Sequence, residues 1–486
     1  MTLCTRPSRT WCDPNFITAH PMDTEFICLN CLQDSHLRRE LPKEDESCDF
    51  CDSPGPSVRL DEVASSCDQV LDAHFETTNG DESVWLYGRD PGGTDLEETL
   101  AGLKVVADEA VEQLAEALRA YWFDRDTGES KYSDDGDVYP CFRPRSDLGG
   151  SMSQTWERIH DSLQHEARYL NPAASQLLDQ VFGDVHADHT VEGQPVVVDA
   201  GPGSAIERLF RARTFQADDP LIEALERPEL LLGTPAQGKG PAGRMNARGQ
   251  PTFYGASTVD VAVAEVRPPV GSKVVTAAFD LTRPLKLLDF RQLGKLKLDT
   301  RLSLFDPRSI ERAQRRDFLR QLVGTLVQPV MPESQDRDYL ATQVIADYLA
   351  THREGPIDGV IYDSVQRRVW PWEPGRNGEA ATVGFNVALF PRASQVKGAD
   401  GRQTAHAALY KWEDDGPGFY LAPAISAIPE AAKVREEPWT LAPGNASKAR
   451  RLDALELVLP SIKVHEVKAV EIKTYSREVE VSSPPG

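Results

Sequence analysis

GKGPAGRMNARGQPTFYGASTVDVAVAEV, Gly238 to Val266, starts as a glycine-rich loop, passes through a strand and ends as a short helix. Its glycines let backbone N–H groups approach an anion closely. The spacing is neither that of a P-loop nor that of a GxGxxG turn after a strand. Phe253 and Tyr254 read as a strand end. Ser257 is placed to cap the next turn, with Asp260 three residues on. Val259–Val266 then reads as a helix stopped by Pro268 and Pro269. Arg244 precedes Tyr254 by ten residues and Glu265 follows it by eleven. A guanidinium for phosphate, a ring for stacking and a carboxylate at the edge of an apolar helix can share one cleft. From spacing alone, a structural Arg–Glu ion pair beside a core tyrosine stands level with that reading.

With 486 residues the chain exceeds one ordinary domain, and about three or four are expected at roughly 100–200 residues each. The composition, 40% hydrophobic and 27% charged, is that of a protein with buried cores. A net charge of −23 argues against a duplex-coating protein and against nucleic acid as a partner. It disfavours an anionic membrane equally. The N-terminus lacks an apolar run of signal-peptide length, and no stretch approaches the roughly 18 apolar residues of a membrane span. A cytoplasmic protein is expected. Nothing in the chain decides for or against a homo-oligomer.

Four segments are expected. Residues 1–58 are cysteine-rich and close on CDSPGPSV, which reads as a linker. Residues 59–190 read as helical: in DLEETLAGLKVVADEAVEQLAEALRAYW apolar residues recur at three- and four-residue steps, the pattern of one long helix. Two further helices follow, around SMSQTWERIHDSLQHEARYL and Leu177–Phe182. Residues 191–392 alternate short β-branched strands, QPVVVDA, PTFYGAS, KVVTAAFDL, PLKLLDF, DGVIYDS and FNVALF, with helices near 259–267, 307–326 and 338–352. That irregular alternation favours α+β over a doubly wound sheet. Residues 393–486 form a C-terminal extension, expected to be β-rich around VHEVKAVEIKTY and REVEV.

Seven of the eight cysteines lie in the first 67 residues, four of them as Cys28-x2-Cys31 and Cys48-x2-Cys51. Two such knuckles bring four thiolates together, the soft tetrahedral set that Zn²⁺ favours. With all four positions filled by protein, the metal would be structural, supplying folding energy to a segment with few apolar residues. Cys4, Cys12, His20 and His36 are spare ligands.

The residues of the opening stretch resemble those of the RES domain, the toxin half of many bacterial toxin–antitoxin pairs. There a GGR-W-N motif is followed by a strand tyrosine and a helical glutamate. Here these read Gly243-Arg244-Met245-Asn246, then PTFYGAS, then VAVAEV. LFRAR, with Arg211, resembles the family's opening strand; DGVIYDS delivers Ser364 and GFNVALF delivers Asn386. The resemblance covers roughly residues 205–392, with Met245 where Trp is usual and Ala242 where the first Gly is usual. The helical region ahead of it resembles the HEPN-like domain that precedes some RES domains.

The resemblance implies a fold related to ADP-ribosyltransferases, with NAD⁺ as substrate. By motif, Arg211 and Arg244 would hold the phosphates, with Asn246 beside them. Tyr254 would face the nicotinamide end and Glu265 would sit by its ribose, while Ser364 and Asn386 complete the polar lining. Glu265, Tyr254 and Arg244 would carry the reaction. Nicotinamide leaves neutral and unprotonated, so one carboxylate that stabilises positive charge on the ribose suffices. The acceptor stays open: water (a glycohydrolase), phosphate, or a protein side chain (a mono-ADP-ribosyltransferase). A rival of another class is an inactive module that binds nucleotide or protein. A toxin also implies a controlling partner, an antitoxin or regulatory protein.

Other motifs carry less. Ser364 lacks a GxSxG elbow. Arg158 stands two and seven residues before His160 and His165, which misses the Arg-x4–6-His spacing of HEPN RNases. The basic run from Arg283 to Arg320 reads as a solvated face.

Overall fold

The computed structural model describes residues 25–81, 92–122, 131–132, 138–145, 148–166, 171–297, 302–326, 330, 337, 339–352, 355–364, 384–412, 418–428 and 453–471. The chain divides into two compact units, residues 1–150 with 298–314, and residues 151–297 with 315–486. No helix among the described residues is long and apolar enough to cross a membrane.

In the first unit β1 (Phe26–Cys28), β2 (Glu44–Asp45) and β3 (Pro56–Arg59) form an antiparallel sheet of order β1-β3-β2. The last three residues of the expected linker CDSPGPSV are therefore strand: Ser57 and Val58 are fully buried, and β3 runs straight into the helix Leu60–His74. Ile27, Leu32 and Val58 share one core with Val63, Leu100, Leu114 and Leu118, so the cysteine-rich segment and its helices fold together. The single long helix expected over 95–122 is broken. Leu96–Leu103 ends at Lys104, whose φ is 54°, and Val111–Tyr121 restarts after a 3-10 turn. Val105 and Val106 between them are buried. The Val105 carbonyl accepts hydrogen bonds from Gln33 and Asp34, an extended pairing that helical backbone cannot supply. β4 (Phe75–Asp81) pairs with β5 (Val138–Pro144).

The second unit is built on an eight-stranded sheet. Its strands are β6 (Val197–Ala200), β7 (Arg208–Phe215), β8 (Phe253–Ala256), β9 (Lys273–Leu281), β10 (Leu285–Asp289), β11 (Gly359–Asp363), β12 (Phe385–Leu389) and β15 (Leu455–Glu466). Their order is β15-β9-β7-β8-β12-β11-β10-β6, with β10 and β11 parallel and the other neighbours antiparallel. This mixed α/β content with a largely antiparallel sheet agrees with the α+β expectation. Strands such as GVIYD are apolar at nearly every position because the sheet is covered on both faces. Leu288, Val360 and Ala388 face the helices Gly150–His165, Pro172–Phe182 and Leu340–Ala350, together with the Arg315–Leu326 stretch of the helix Pro307–Leu326. Leu287, Ile361, Val387 and Phe253 face the other way, toward the helix Asp218–Glu226.

Two expected boundaries shift. The helices Gly150–His165 and Pro172–Phe182, placed by sequence in a 59–190 domain, belong to the sheet-bearing unit. There Leu163, Leu178 and Phe182 bury against it. The C-terminal extension supplies β15 to the same sheet and a hairpin, β13 (Ala405–Trp412) with β14 (Phe419–Ala427). REVEV lies outside the described residues.

Candidate active site

The loop of the opening stretch is organised by Asn246, not by its glycine content. Asn246 is buried; its Nδ2 donates to the carbonyls of Pro241 and Ala247, both at 2.9 Å, and its Oδ1 accepts from the Tyr254 hydroxyl at 2.7 Å. The same hydroxyl accepts from the Met245 N–H at 2.9 Å. Gly243 is required because a Cβ there would lie 2.6 Å from both Asn246 Oδ1 and the Tyr254 hydroxyl. Asn246, expected to touch a cofactor, instead spends its amide inside the loop and fixes Tyr254. Met245 and Ala242, the two departures from the family pattern, lie outside the cavity described next. Met245 is 2% exposed and packs into the core, a use suited to an unbranched thioether.

A cavity of about 120 Å³ opens on the helix-rich face of the sheet. Its floor is one cross-strand row: Tyr362 of β11 pairs with Asn386 of β12, Asn386 with Ala256 of β8, and Ala256 with Phe210 of β7. Tyr254, two residues before Ala256, extends that face. Glu265 closes the wall as the last residue of the helix Val259–Glu265. The cap of that helix is Thr258, whose Oγ1 accepts from the Val261 N–H at 3.3 Å. Ser257, the expected cap, instead accepts from the Phe385 N–H at 2.9 Å and ties the turn to β12. A carboxylate at a helix C-terminus opposes the helix dipole, so local stability does not explain Glu265. Its Oε2 accepts from Asn386 Nδ2 at 3.1 Å.

Arg211 enters the cavity wall through a gap in the sheet. β7 and β8 pair only at Phe210 and Ala256, leaving the Tyr254 carbonyl free to accept from Arg211 Nη1 at 2.9 Å. The guanidinium lies 5.2 Å from the Phe253 ring centroid, and burial, with Arg213 nearby, lowers its pKa to about 10. It remains charged at neutral pH. Burial raises Tyr254 and Tyr362 above the ordinary tyrosine range, and the Glu265 charge adds to the rise at Tyr362.

Arg244 does not line the cavity. It donates to the Leu326 carbonyl and lies 5.4 Å from the Tyr339 ring, while its own carbonyl accepts from Thr342. Its charge still acts on Tyr254 and Tyr362, opposing their upward shifts. Ser364 is buried just beyond β11, off the cavity lining, and its Oγ has no partner among the described residues. Thus Arg211, Tyr254, Glu265 and Asn386 come together, and Arg244, Asn246 and Ser364 do not join them. Sequence reasoning missed Tyr362 and Phe210. Tyr362 was within reach of the period-2 rule, since it stands two residues before the Ser364 already singled out.

A larger cleft, about 580 Å³, is walled by Leu178, Tyr348 and Phe390 and contains Asp347. It holds none of the expected site residues, so the smaller, chemically denser cavity is the better candidate. Among the described residues the arginines of the 283–320 run are largely paired with acids: Arg283 with Asp358, Arg291 with Asp289, Arg308 with Asp306, Arg315 with Asp188, and Arg316 and Arg320 with Asp317. His160 and His165 contact Gln164 and Asp161 of their own helix.

In the first unit the Sγ atoms of Cys28, Cys31, Cys48 and Cys51 all lie within 4.8 Å of one another. Cys48 Sγ accepts from the Cys28 N–H at 3.3 Å, and Cys28 Sγ from the Cys31 N–H at 3.5 Å. Burial pushes the Cys31 thiol up, while Ser53 holds Cys51 down to about 6. Convergence of four thiols on one point fits a tetrahedral metal ion. His36 stands apart, against Asp306 and Arg39, and Cys4, Cys12 and His20 lie outside the described residues.

A helix-covered, largely antiparallel sheet with a small carboxylate-bearing cavity on one face defines the second unit as an α+β domain with a candidate site on that face. Comparison with protein families identifies it further: the RES domain model matches residues 220–412, so the chain carries a RES domain. The match begins after Arg211 and runs through β13. No curated protein and no solved structure matches the chain.

Proposed function

We propose that the second unit splits NAD⁺ between nicotinamide and ribose. The observation that carries this reading is the Glu265 carboxylate, held by Asn386 at a ring-sized cavity walled by Tyr254 and Tyr362. Whole-ligand sites usually measure about 300–1,000 Å³. A cavity of about 120 Å³ therefore suits one heterocycle, with the remainder of the dinucleotide outside it. The bond from ribose C1′ to the ring nitrogen breaks, and its electron pair leaves with nicotinamide, which departs neutral. Positive charge grows on the ribose, where Glu265 can stabilise it by a preorganised field. An acceptor oxygen then bonds to C1′, and when the acceptor is water a proton is released to solvent. The charge of Arg211 in the cavity wall favours an anionic pyrophosphate next to it.

Hydrolysis is the simplest version; phosphorolysis and transfer to a protein are alternatives that differ only in the acceptor. The family supports a toxin-like role with a fold related to ADP-ribosyltransferases, acting in the cytoplasm under an antitoxin or regulatory partner. We assign Zn²⁺ to the four cysteines as a structural ion, and a HEPN-like role to the first unit's helices. The test is incubation of the full chain with NAD⁺, with and without phosphate, following nicotinamide and the ribosyl product by chromatography. Nicotinamide release is expected. Nucleotide binding with no release would replace this reading by that of a binding module.

A further inference from the structure

Two polar groups in the cavity are unused by the protein itself. The Tyr362 hydroxyl makes no hydrogen bond among the described residues, although the residue is only 7% exposed and lines the cavity. The hydroxyl oxygen keeps some accessible surface and is not sealed inside the protein. The second group is the Asn386 side-chain carbonyl. A carboxylate such as Glu265 only accepts hydrogen bonds. The Asn386 amide must therefore turn its Nδ2 toward Glu265, leaving Oδ1 to the cavity. Tyr362 and Asn386 are direct cross-strand partners on one face, with Cβ atoms about 4.5–5.5 Å apart in such pairs. A free donor and a free acceptor thus line one small cavity from neighbouring strands.

We infer that Tyr362 and Asn386 are a recognition pair for a primary carboxamide: the Tyr362 hydroxyl donates to its oxygen, and Asn386 Oδ1 accepts from its N–H. The inference rests on the NAD⁺ reading for its substrate and adds selectivity to it. A carboxylate in the same place would offer only acceptors, facing both Asn386 Oδ1 and the Glu265 charge. Discrimination against the acid form follows from that repulsion. The site therefore selects the amidated dinucleotide over its nicotinic acid counterpart.

The experiment compares wild type and Tyr362→Phe in turnover of NAD⁺ and of nicotinic acid adenine dinucleotide. Calorimetric titration with free nicotinamide and free nicotinic acid accompanies it. Because the hydroxyl is unpaired, Tyr362→Phe should melt within about 1 °C of wild type, a loss of no hydrogen bond. KM for NAD⁺ should rise about five- to tenfold, the worth of one hydrogen bond, with kcat changed less. Wild type should prefer each amide over its acid by at least about tenfold. That preference needs no variant to fold. Wild type cleaving NAD⁺ with no amide preference, or with an unchanged KM in Tyr362→Phe, would overturn the inference and leave the NAD⁺ reading standing. Nicotinamide binding that depends on Tyr362 without cleavage would support the carboxamide site while removing the reaction. Neither binding nor cleavage would overturn both.

Discussion

Replacing Gly243 with alanine tests how the loop holds Tyr254. The new Cβ would lie 2.6 Å from Asn246 Oδ1 and 2.6 Å from the Tyr254 hydroxyl. Backbone strain does not enter, because the clash alone decides. The two atoms are hydrogen-bonded to each other at 2.7 Å, and the hydroxyl also accepts from the Met245 N–H at 2.9 Å. Moving the hydroxyl aside sacrifices two hydrogen bonds worth about 0.5–1.5 kcal/mol each, and an N–H left unpaired adds about 1–3 kcal/mol. The expected destabilisation is roughly 2–6 kcal/mol, read from urea unfolding of the full chain. Nicotinamide release should fall at least about tenfold, since Tyr254 loses both its anchors. Tyr254→Phe removes one clashing atom in advance, so the double variant should lose less than the sum of the single variants. A loss below about 0.5 kcal/mol, or full additivity, would refute the arrangement of Gly243, Asn246 and Tyr254.

Glu265→Gln keeps an oxygen for Asn386 Nδ2 while removing the charge, so the protein should fold normally and nicotinamide release should drop at least about a hundredfold; unchanged turnover would sink the mechanism. Desolvation within the larger cleft raises the pKa of Asp347, whose side chain stays exposed on its other side and accepts from Gln250 Nε2 at 3.2 Å. A raised folded pKa stabilises below the unfolded value, about 3.9, and that stability is lost as pH rises through the folded value. Asp347→Asn should therefore melt higher than wild type at pH 7 and equally at pH 3, and the reverse order would contradict the assignment. Purified protein should carry about one zinc per chain by elemental analysis. Replacing Cys28 and Cys48 by Ser should abolish it and speed proteolysis within residues 25–74; full metal content in that variant would place the ion elsewhere.

Features set by near neighbours in the chain were legible before the fold. PTFYGAS, KVVTAAFDL and GVIYDS read as strands because β-branched and aromatic runs lie between breakers, and the sheet contains β8, β9 and β11 there. The paired CxxC spacing foretold the thiol cluster for a similar reason: each knuckle is a short turn. The helix over 95–122 misread because its apolar period continues through Val105 and Val106, while the Val105 carbonyl is claimed by the N–H groups of Gln33 and Asp34 and Val106 bridges to Leu32, residues about seventy positions away in the chain.

By itself the sequence determined the residue types of the site, the RES character of roughly residues 205–392, which the family match over 220–412 overlaps, and most strand positions, since composition and short-range spacing encode all three. Only the tertiary structure decided which of those residues meet. Register between β11, β12, β8 and β7 sets Tyr362, Asn386, Ala256 and Phe210 in one row, and a single slip would turn that row to the other face. The same long-range packing anchors Arg244 at Leu326 and Tyr339, away from the cavity that its ten-residue spacing to Tyr254 had suggested. Intervals along a chain constrain neighbours on one element; hydrogen bonds between distant strands fix the rest.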